Sequence, residues 1–364
     1  MNMDIFNIVT EITRNPQRSV LATTVSVQGH AYRKVGATML MLEEGLSIGC
    51  ISPGCLELDL QERVSLILLA DKPQLVEYDM SDKDDLSWGE VIGCGGKLQV
   101  LLEPVSGVLL EFMLEVKRKL DQNIGVHFIR LIDPDGVHVK YKLVPFAESL
   151  AETISVPGMD GSAKLFAQTY TPKPRLIIFG AGHDSIPIAE LGRRSGFRIV
   201  IADWRPLLCA KERYGNAAEF VIGFPQKILQ QLRLDDKDYV IVMSHHLRWD
   251  SEFLHGVAQC DVKYAGIMGS QTRCELLLKG IEAPERFHAP IGMKIGADGP
   301  EEIAISILAE LIRVRSLGMR VNVLDKGDSY EAKGGWNLPS RGKKQSDGAA
   351  QIINQALERR EAWI

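Results

Sequence analysis

An α/β protein of two domains, a mixed α+β half followed by a Rossmann-like parallel sheet, is the fold class that the sequence predicts. Length is the first reason: 364 residues with 45% apolar content exceed one ordinary domain and supply real cores. The second is a change of pattern near Arg175, after which short β-branched runs alternate with amphipathic helices, as a parallel sheet covered on both faces requires. The third is the stretch "LIIFGAGHDSIPIAELG", a strand running into a glycine turn and then a helix.

In the first half, Ile5, Ile8, Val9 and Ile12 share one face of a short helix over 4–14, and Ser19–Val27 reads as a strand. "ATMLMLEEGLSIGCI" gives two strands joined at Glu44-Gly45. Leu56, Leu60, Val64 and Leu68 recur every four residues, so a helix opens directly after the turn Ser52-Pro53-Gly54, with Cys55 at its N-terminus. A polar stretch, the cluster "GCGGKLQVLLEP", a helix near Gly107–Leu120 and a hairpin turned at "DPDG" complete this half. Residues 147–174, with Ser, Gly, Thr and three prolines, read as a linker or a crossing strand. The expected layout is an α+β domain over 1–165, a linker over 166–174, a Rossmann-like domain over 175–318 and a partly mobile tail over 319–364 with a possible last helix at 349–360.

Composition excludes several function classes. The net charge of −5 carries no basic block, so a nucleic-acid partner is not expected. No apolar stretch reaches the roughly 18 residues needed to cross a bilayer, and a cytoplasmic protein with no membrane partner is the expectation. Six cysteines without a CxxC pair suggest reduced thiols rather than disulfides or a closed zinc site.

Gly180-Ala181-Gly182 brings backbone N–H groups to a helix N-terminus, where they can meet an anion; the alternative is a tight strand-to-helix turn without a ligand. Asp203 closes the next strand, 23 positions beyond Gly180, where an acidic side chain commonly bonds a ribose hydroxyl, and Ser185 stands in place of the third glycine. His245 and His246 follow "YVIVM", and Gly269-Ser270 end another strand, both at carboxyl ends of strands where open α/β sheets place ligands. Cys55, at a helix N-terminus, is a candidate nucleophile or soft-metal ligand, or else a small buried residue; Cys94, between Gly93 and Gly95, has the same two readings. Cys209, Cys260 and Cys274 fall on expected helices or their edges and read as structural.

Taken together, "VQGHAYRKVGATML", "GCISPGCLE", "GCGGKLQVLLEP", "IFGAGHDSIPIAELG", "IADWRP", "YAGIMGS" and "HAPIGMKIGADGPEEIAISILAELIRVR" resemble the xanthine dehydrogenase accessory factors, the XdhC/CoxI family, over roughly residues 5–318. The resemblance implies a maturation factor that binds molybdenum cofactor (molybdopterin) and helps deliver it, sulfurated, to a molybdenum hydroxylase. Its implied partners are the molybdenum-binding subunit of that enzyme and a cysteine desulfurase; a homo-oligomer is also possible. Carried over by position, it points to Arg33, Gly36, Gly54, Cys55, Glu57, Cys94, Gly95 and Gly96, and to Gly180, Gly182, His183, Asp203, Arg205, His245, Gly269, Ser270, Pro290, Gly292, Glu301 and Glu302. Cys55 and Cys94 would handle sulfur or molybdenum, with Cys55 the metal ligand, and Arg33, Gly54, Gly95, Gly96, Gly180, Gly182, His183, Asp203, Arg205, His245, Gly269 and Ser270 would hold the cofactor; helix capping explains Glu301 and Glu302 at least as well as catalysis. Pro53-Gly54 replaces the family's usual glycine pair, and Ser244-His245-His246 its Thr-His-Asp-like run. The competing expectation is an NAD(P)-dependent oxidoreductase using the same glycine turn, with Asp203 favouring NAD and Arg205 able to accept a further phosphate.

Overall fold

A computed structural model describes residues 4–15, 18–29, 31–80, 96–146, 163–215, 218–282 and 284–317. Cys94, Gly95 and the tail over 319–364 lie outside them. The chain divides into two compact units, one up to Pro172 and one from Lys173.

The first unit opens with α1 (Asp4–Arg14), followed by β1 (Ser19–Gln28), β2 (Thr38–Leu42), β3 (Ser47–Gly49), α2 (Cys55–Ala70), β4 (Gln74–Asp79), β5 (Lys97–Pro104), α3 (Gly107–Asp121), β6 (Val126–Ile132), β7 (Val139–Pro145) and β8 (Lys164–Tyr170). An antiparallel sheet runs β3-β2-β1-β5-β4, and a second runs β7-β6-β8. Strand side chains alternate between faces, so Val20 and Ala22 turn to the layer holding Leu56, Leu60, Val64 and Ile67 of α2. Leu21, Leu40 and Leu42 face the opposite layer, where α1 and α3 contribute Ile5, Ile8, Met113 and Val116. Each such Val, Leu, Ile or Met side chain contributes about 1.5–3 kcal/mol by leaving water.

The linker expected over 166–174 is corrected in favour of the other reading of that stretch, a crossing strand. Its first part belongs to β8, whose Phe166, Gln168 and Tyr170 are buried against β6. Gln168 is a polar residue on an inward face, and its partner explains why it is there: its side-chain oxygen accepts from Arg130 at 2.6 Å. Arg130 in turn forms a fully buried ion pair with Glu103 at 2.9 Å, which also accepts from the Tyr141 hydroxyl. The network joins β5 to all three strands of the smaller sheet.

The second unit continues with β9 (Arg175–Phe179), α4 (Ser185–Arg194), β10 (Arg198–Asp203), the short helix α5 (Lys211–Tyr214), β11 (Ala218–Ile222), α6 (Pro225–Leu232), β12 (Tyr239–Val242), α7 (Leu247–Ala258), β13 (Tyr264–Ile267), α8 (Gln271–Leu277), β14 (Phe287–His288) and α9 (Gly299–Leu317). All its strands are parallel in the order β11-β10-β9-β12-β13-β14, which in sequence terms is 3-2-1-4-5-6, the doubly wound dinucleotide-fold order. Leu176, Ile178 and Ile241 pack under α4 and α9, while Ile177, Phe179 and Val240 pack under α6 and α7. Burial of both faces is why these strands read as near-continuous apolar runs. The order of strand addition reverses at β9, between β10 and β12, and the loops leaving those strands form a crest at the carboxyl edge.

Candidate functional site

The crest begins at Gly180, whose φ of 119° lies where side chains are strained. A Cβ there would also meet backbone: 2.5 Å from both Cα and N of Ser244, the residue just past β12. Glycine is therefore demanded by close packing at the seam. Gly182 differs, because nothing lies within 4 Å of the position its Cβ would take. The turn is buttressed from below. Ser185 Oγ donates to the Gly182 carbonyl at 2.7 Å and contacts the Tyr214 hydroxyl at 2.6 Å, while Arg213 donates to the Ala181 carbonyl at 3.0 Å. The serine that replaces the third glycine thus fixes the turn from inside. His183 is exposed on its outer side.

Asp203, at the end of β10, is fully buried. Its carboxylate accepts from the Ala181 amide at 2.7 Å, from the Arg205 amide at 2.8 Å and from the Arg205 guanidinium at 2.7 Å. Burial alone would raise its pKa, but the hydrogen bonds from Arg205 and the Ala181 amide outweigh it and hold the carboxyl below the usual aspartate range. A ribose hydroxyl could use this group only by displacing those internal donors. Arg205, held by Asp203, also lies over the Trp204 ring at 4.6 Å.

On the other side of the seam, His245 adopts φ 61°, a left-handed conformation uncommon for a residue with a side chain. Its Nε2 lies 3.5 Å from a carboxylate oxygen of Asp184, linking the β12 loop to the glycine turn. His246 caps α7 by accepting from the Trp249 amide and packs edge-on to Trp204. Buried Asp250 accepts from the Ser244 side chain and amide and from Arg273 at 2.6 Å. Arg273 lies along Gly269, where a Cβ would come within 2.6 Å of its Cδ, and Ser270 caps α8. Gly180, Gly182, His183, Asp203, Arg205, His245, Gly269 and Ser270 therefore all fall on one crest. Sequence reasoning does not point to the Ser244–Asp250–Arg273 linkage, since its members are 6 and 23 positions apart.

The first-unit candidates divide differently. Cys55 is the first residue of α2, after Gly54 with φ 126° and open space where a Cβ would go. Glu57 clamps the preceding turn by accepting from the Ile51 amide at 3.1 Å, the Ser52 amide at 2.6 Å and the Ser52 hydroxyl. Arg33 pairs with Asp4 at 2.7 Å and donates to the Cys50 sulfur at 3.2 Å. Cys50, at the other end of "CISPGC", is a residue that sequence reasoning missed; a second cysteine flanking the same turn was the available signal. Gly96 is buried, and its carbonyl accepts from the Met80 amide. Gly36 presents its carbonyl to Gln168 at 3.0 Å. Burial pushes the Cys209 thiol up to about 11 and raises that of Cys274, which suits the packing roles expected of them. Among the described residues, no helix is long and apolar enough to cross a membrane.

Comparison with known proteins bears on both units. Residues 13–79 match the XdhC and CoxI family, and residues 176–311 match the XdhC Rossmann domain. The chain is 35% identical over 315 residues to a Bacillus subtilis protein named as a probable xanthine dehydrogenase subunit, covering 84% of this chain and 95% of that one. It is 22% identical to the molybdenum cofactor insertion chaperone PaoD of Escherichia coli, over 85% of this chain and 88% of that protein. A crystal structure described as a xanthine dehydrogenase from Bacillus halodurans superposes with a TM-score of 0.80 at 34% identity, covering 87% of this chain and 97% of the other. With a glycine turn at the reversal point of a 3-2-1-4-5-6 sheet and a family match in each unit, the chain belongs to the XdhC/CoxI family.

Proposed function

We propose that this protein is a maturation factor that binds molybdenum cofactor and assists its sulfuration and insertion into a molybdenum hydroxylase such as xanthine dehydrogenase. The observation that carries the reading is the pair of glycines at the β9 turn: Gly180 lets two strand ends close up, and Gly182 leaves open space at the N-terminus of α4. Backbone amides there suit the phosphate of a pterin cofactor. The chain-long relationship to a protein named a molybdenum cofactor insertion chaperone supports the same reading.

The residues fit such a group in kind. Gly182 and His183 would meet its anionic end, with Asp184 and His245 bordering the turn. In the first unit Cys55 is the opening residue of α2, and molybdenum favours soft sulfur donors. The bound cofactor would contribute the pterin dithiolene and the metal, whose terminal sulfur a cysteine desulfurase would provide. The molybdenum-binding subunit of the hydroxylase would be the recipient.

The test is to produce the protein anaerobically in a host that makes the cofactor, then quantify molybdenum and oxidised pterin. Wild-type protein should carry both, Gly182→Val should lose both, and Cys55→Ala should lose molybdenum. Protein that stays empty even after anaerobic reconstitution with isolated cofactor would sink the proposal. The sheet order also favours a second reading, an NAD(P)-dependent oxidoreductase, which predicts enhanced NADH fluorescence on titration. The internal commitment of Asp203 weighs against it.

A further inference from the structure

At β14, the outermost strand of the parallel sheet, the loop that follows borders an open cleft of about 340 Å³ lined by His288, Gly292, Lys294, Glu310 and Arg313 among others. The loop is fastened to α9 at two points. The Gly292 amide donates to Glu310 at 2.5 Å, and Ser306 Oγ donates to the Met293 carbonyl at 2.6 Å. Gly292 has φ 98°, and a Cβ there would lie 2.6 Å from Ser306 Oγ, so the loop cannot retreat from the helix or carry a larger residue.

Glu310 is buried. Burial alone would raise its pKa, yet the hydrogen bond and charge of His288, with the Gly292 amide, hold it below the usual glutamate range. It stands as a carboxylate bonded to Nδ1 of His288. The ring of His288 also stacks on Tyr264 at 4.5 Å, which fixes its plane. With Nδ1 engaged, Nε2 is the nitrogen left to a ligand. Lys294 and Arg313 are exposed, line the same cleft, and make no ion pair among the described residues. The charge still unmatched at this place is positive.

We infer that this cleft is a second ligand site, separate from the glycine turn, that receives the phosphate of a small phosphorylated molecule. Lys294 and Arg313 meet its charge, and the ring of His288, held through Nδ1 by Glu310, borders it with Nε2. The volume lies at the small end of the range of about 300–1,000 Å³ for ligand clefts, more than a bare oxyanion fills. β14 is three strands from β9 in the sheet, about 14 Å at the usual strand spacing, so the two sites can be scored apart. The inference does not depend on the cofactor reading.

The experiment follows the imidazole NMR signal of His288 in the full chain, assigned by its absence in His288→Gln. Wild-type protein is titrated at fixed pH with glycerol 3-phosphate, inorganic phosphate and, at matched ionic strength, chloride. A saturable displacement by glycerol 3-phosphate, weakened at least about tenfold in Lys294→Glu/Arg313→Glu, is expected, the factor being that for one charge-assisted hydrogen bond. Equal saturation by inorganic phosphate would uphold the site and identify its ligand as the free oxyanion. Movement with chloride alike, or a double variant that titrates as wild type does, would overturn the inference. Cofactor loading of the double variant should match wild type, so failure here is distinguishable from failure at the glycine turn.

Discussion

Gly180 and Ser244 meet backbone to backbone across the seam between β9 and β12, with 2.5 Å available where a Cβ would have to sit. Gly180→Ala must therefore separate the two strand ends or distort φ, and either costs about 1–3 kcal/mol. Urea unfolding should register that loss. Gly182→Ala, which meets nothing within 4 Å, should stay within about 0.5 kcal/mol of wild type. Equal stabilities for the two variants would contradict the close-packing account.

The sealed pair of Glu103 and Arg130 leads to a second expectation. Glu103→Gln leaves a guanidinium without its counter-charge in a fully buried setting, a loss of about 3–5 kcal/mol. Replacing both partners, as in Glu103→Leu/Arg130→Met, should recover part of that loss, because no orphaned charge then remains. Denaturant midpoints of the three proteins decide the matter; a double variant less stable than Glu103→Gln would refute it.

Acid should loosen the turn before Cys55. Burial alone would raise the Glu57 pKa, but hydrogen bonds from the Ser52 hydroxyl and amide and the Ile51 amide prevail, and it lies below the usual glutamate range. A depressed folded-state value means that the stabilisation is complete above the unfolded value, about 4.3, and vanishes as pH falls through the lowered one. Glu57→Gln should be less stable at neutral pH and should decline less steeply below about pH 4. Melting temperature against pH for both proteins is the measurement, and parallel acid limbs would count against it.

Asp203→Asn removes the charge that holds Arg205 and weakens the acceptor of the Ala181 amide. Losing one charge-assisted bond costs about 1.5–3 kcal/mol locally, so exchange of the Ala181 amide hydrogen should accelerate at least about tenfold. Unchanged protection of that amide would show that Asp203 does not secure the turn.

Much of the fold could be read in advance because its signals are local. Strands β9, β10 and β12 are unbroken apolar runs, and the four-residue recurrence of Leu56, Leu60 and Val64 marks α2. Strand β8 could not be told from a linker because its inward face carries Gln168, a residue that makes sense only beside Arg130, 38 positions away. The crest could be read for a related reason: loops after parallel strands must emerge on one edge, so residues at strand ends gather without any contact being specified. Arg33 with Cys50, and His288 with Glu310, are pairings made by tertiary folding across 17 and 22 positions, and no periodicity encodes them.

The bond from the Ala181 amide to Asp203 bears on what the glycine turn can select. An incoming anion would find the Gly180 amide bonded to the Ala202 carbonyl and the Ala181 amide satisfied by a resident carboxylate that the fold itself neutralises with Arg205. Under the proposed function, recognition would thereby shift one step along the chain, to Gly182 and beyond, where the surface is open and His183 stands at the rim. A guest of the proposed kind would have to bring its negative charge to that outer position, and molecules that reach only as far as the strand end would gain nothing from docking there.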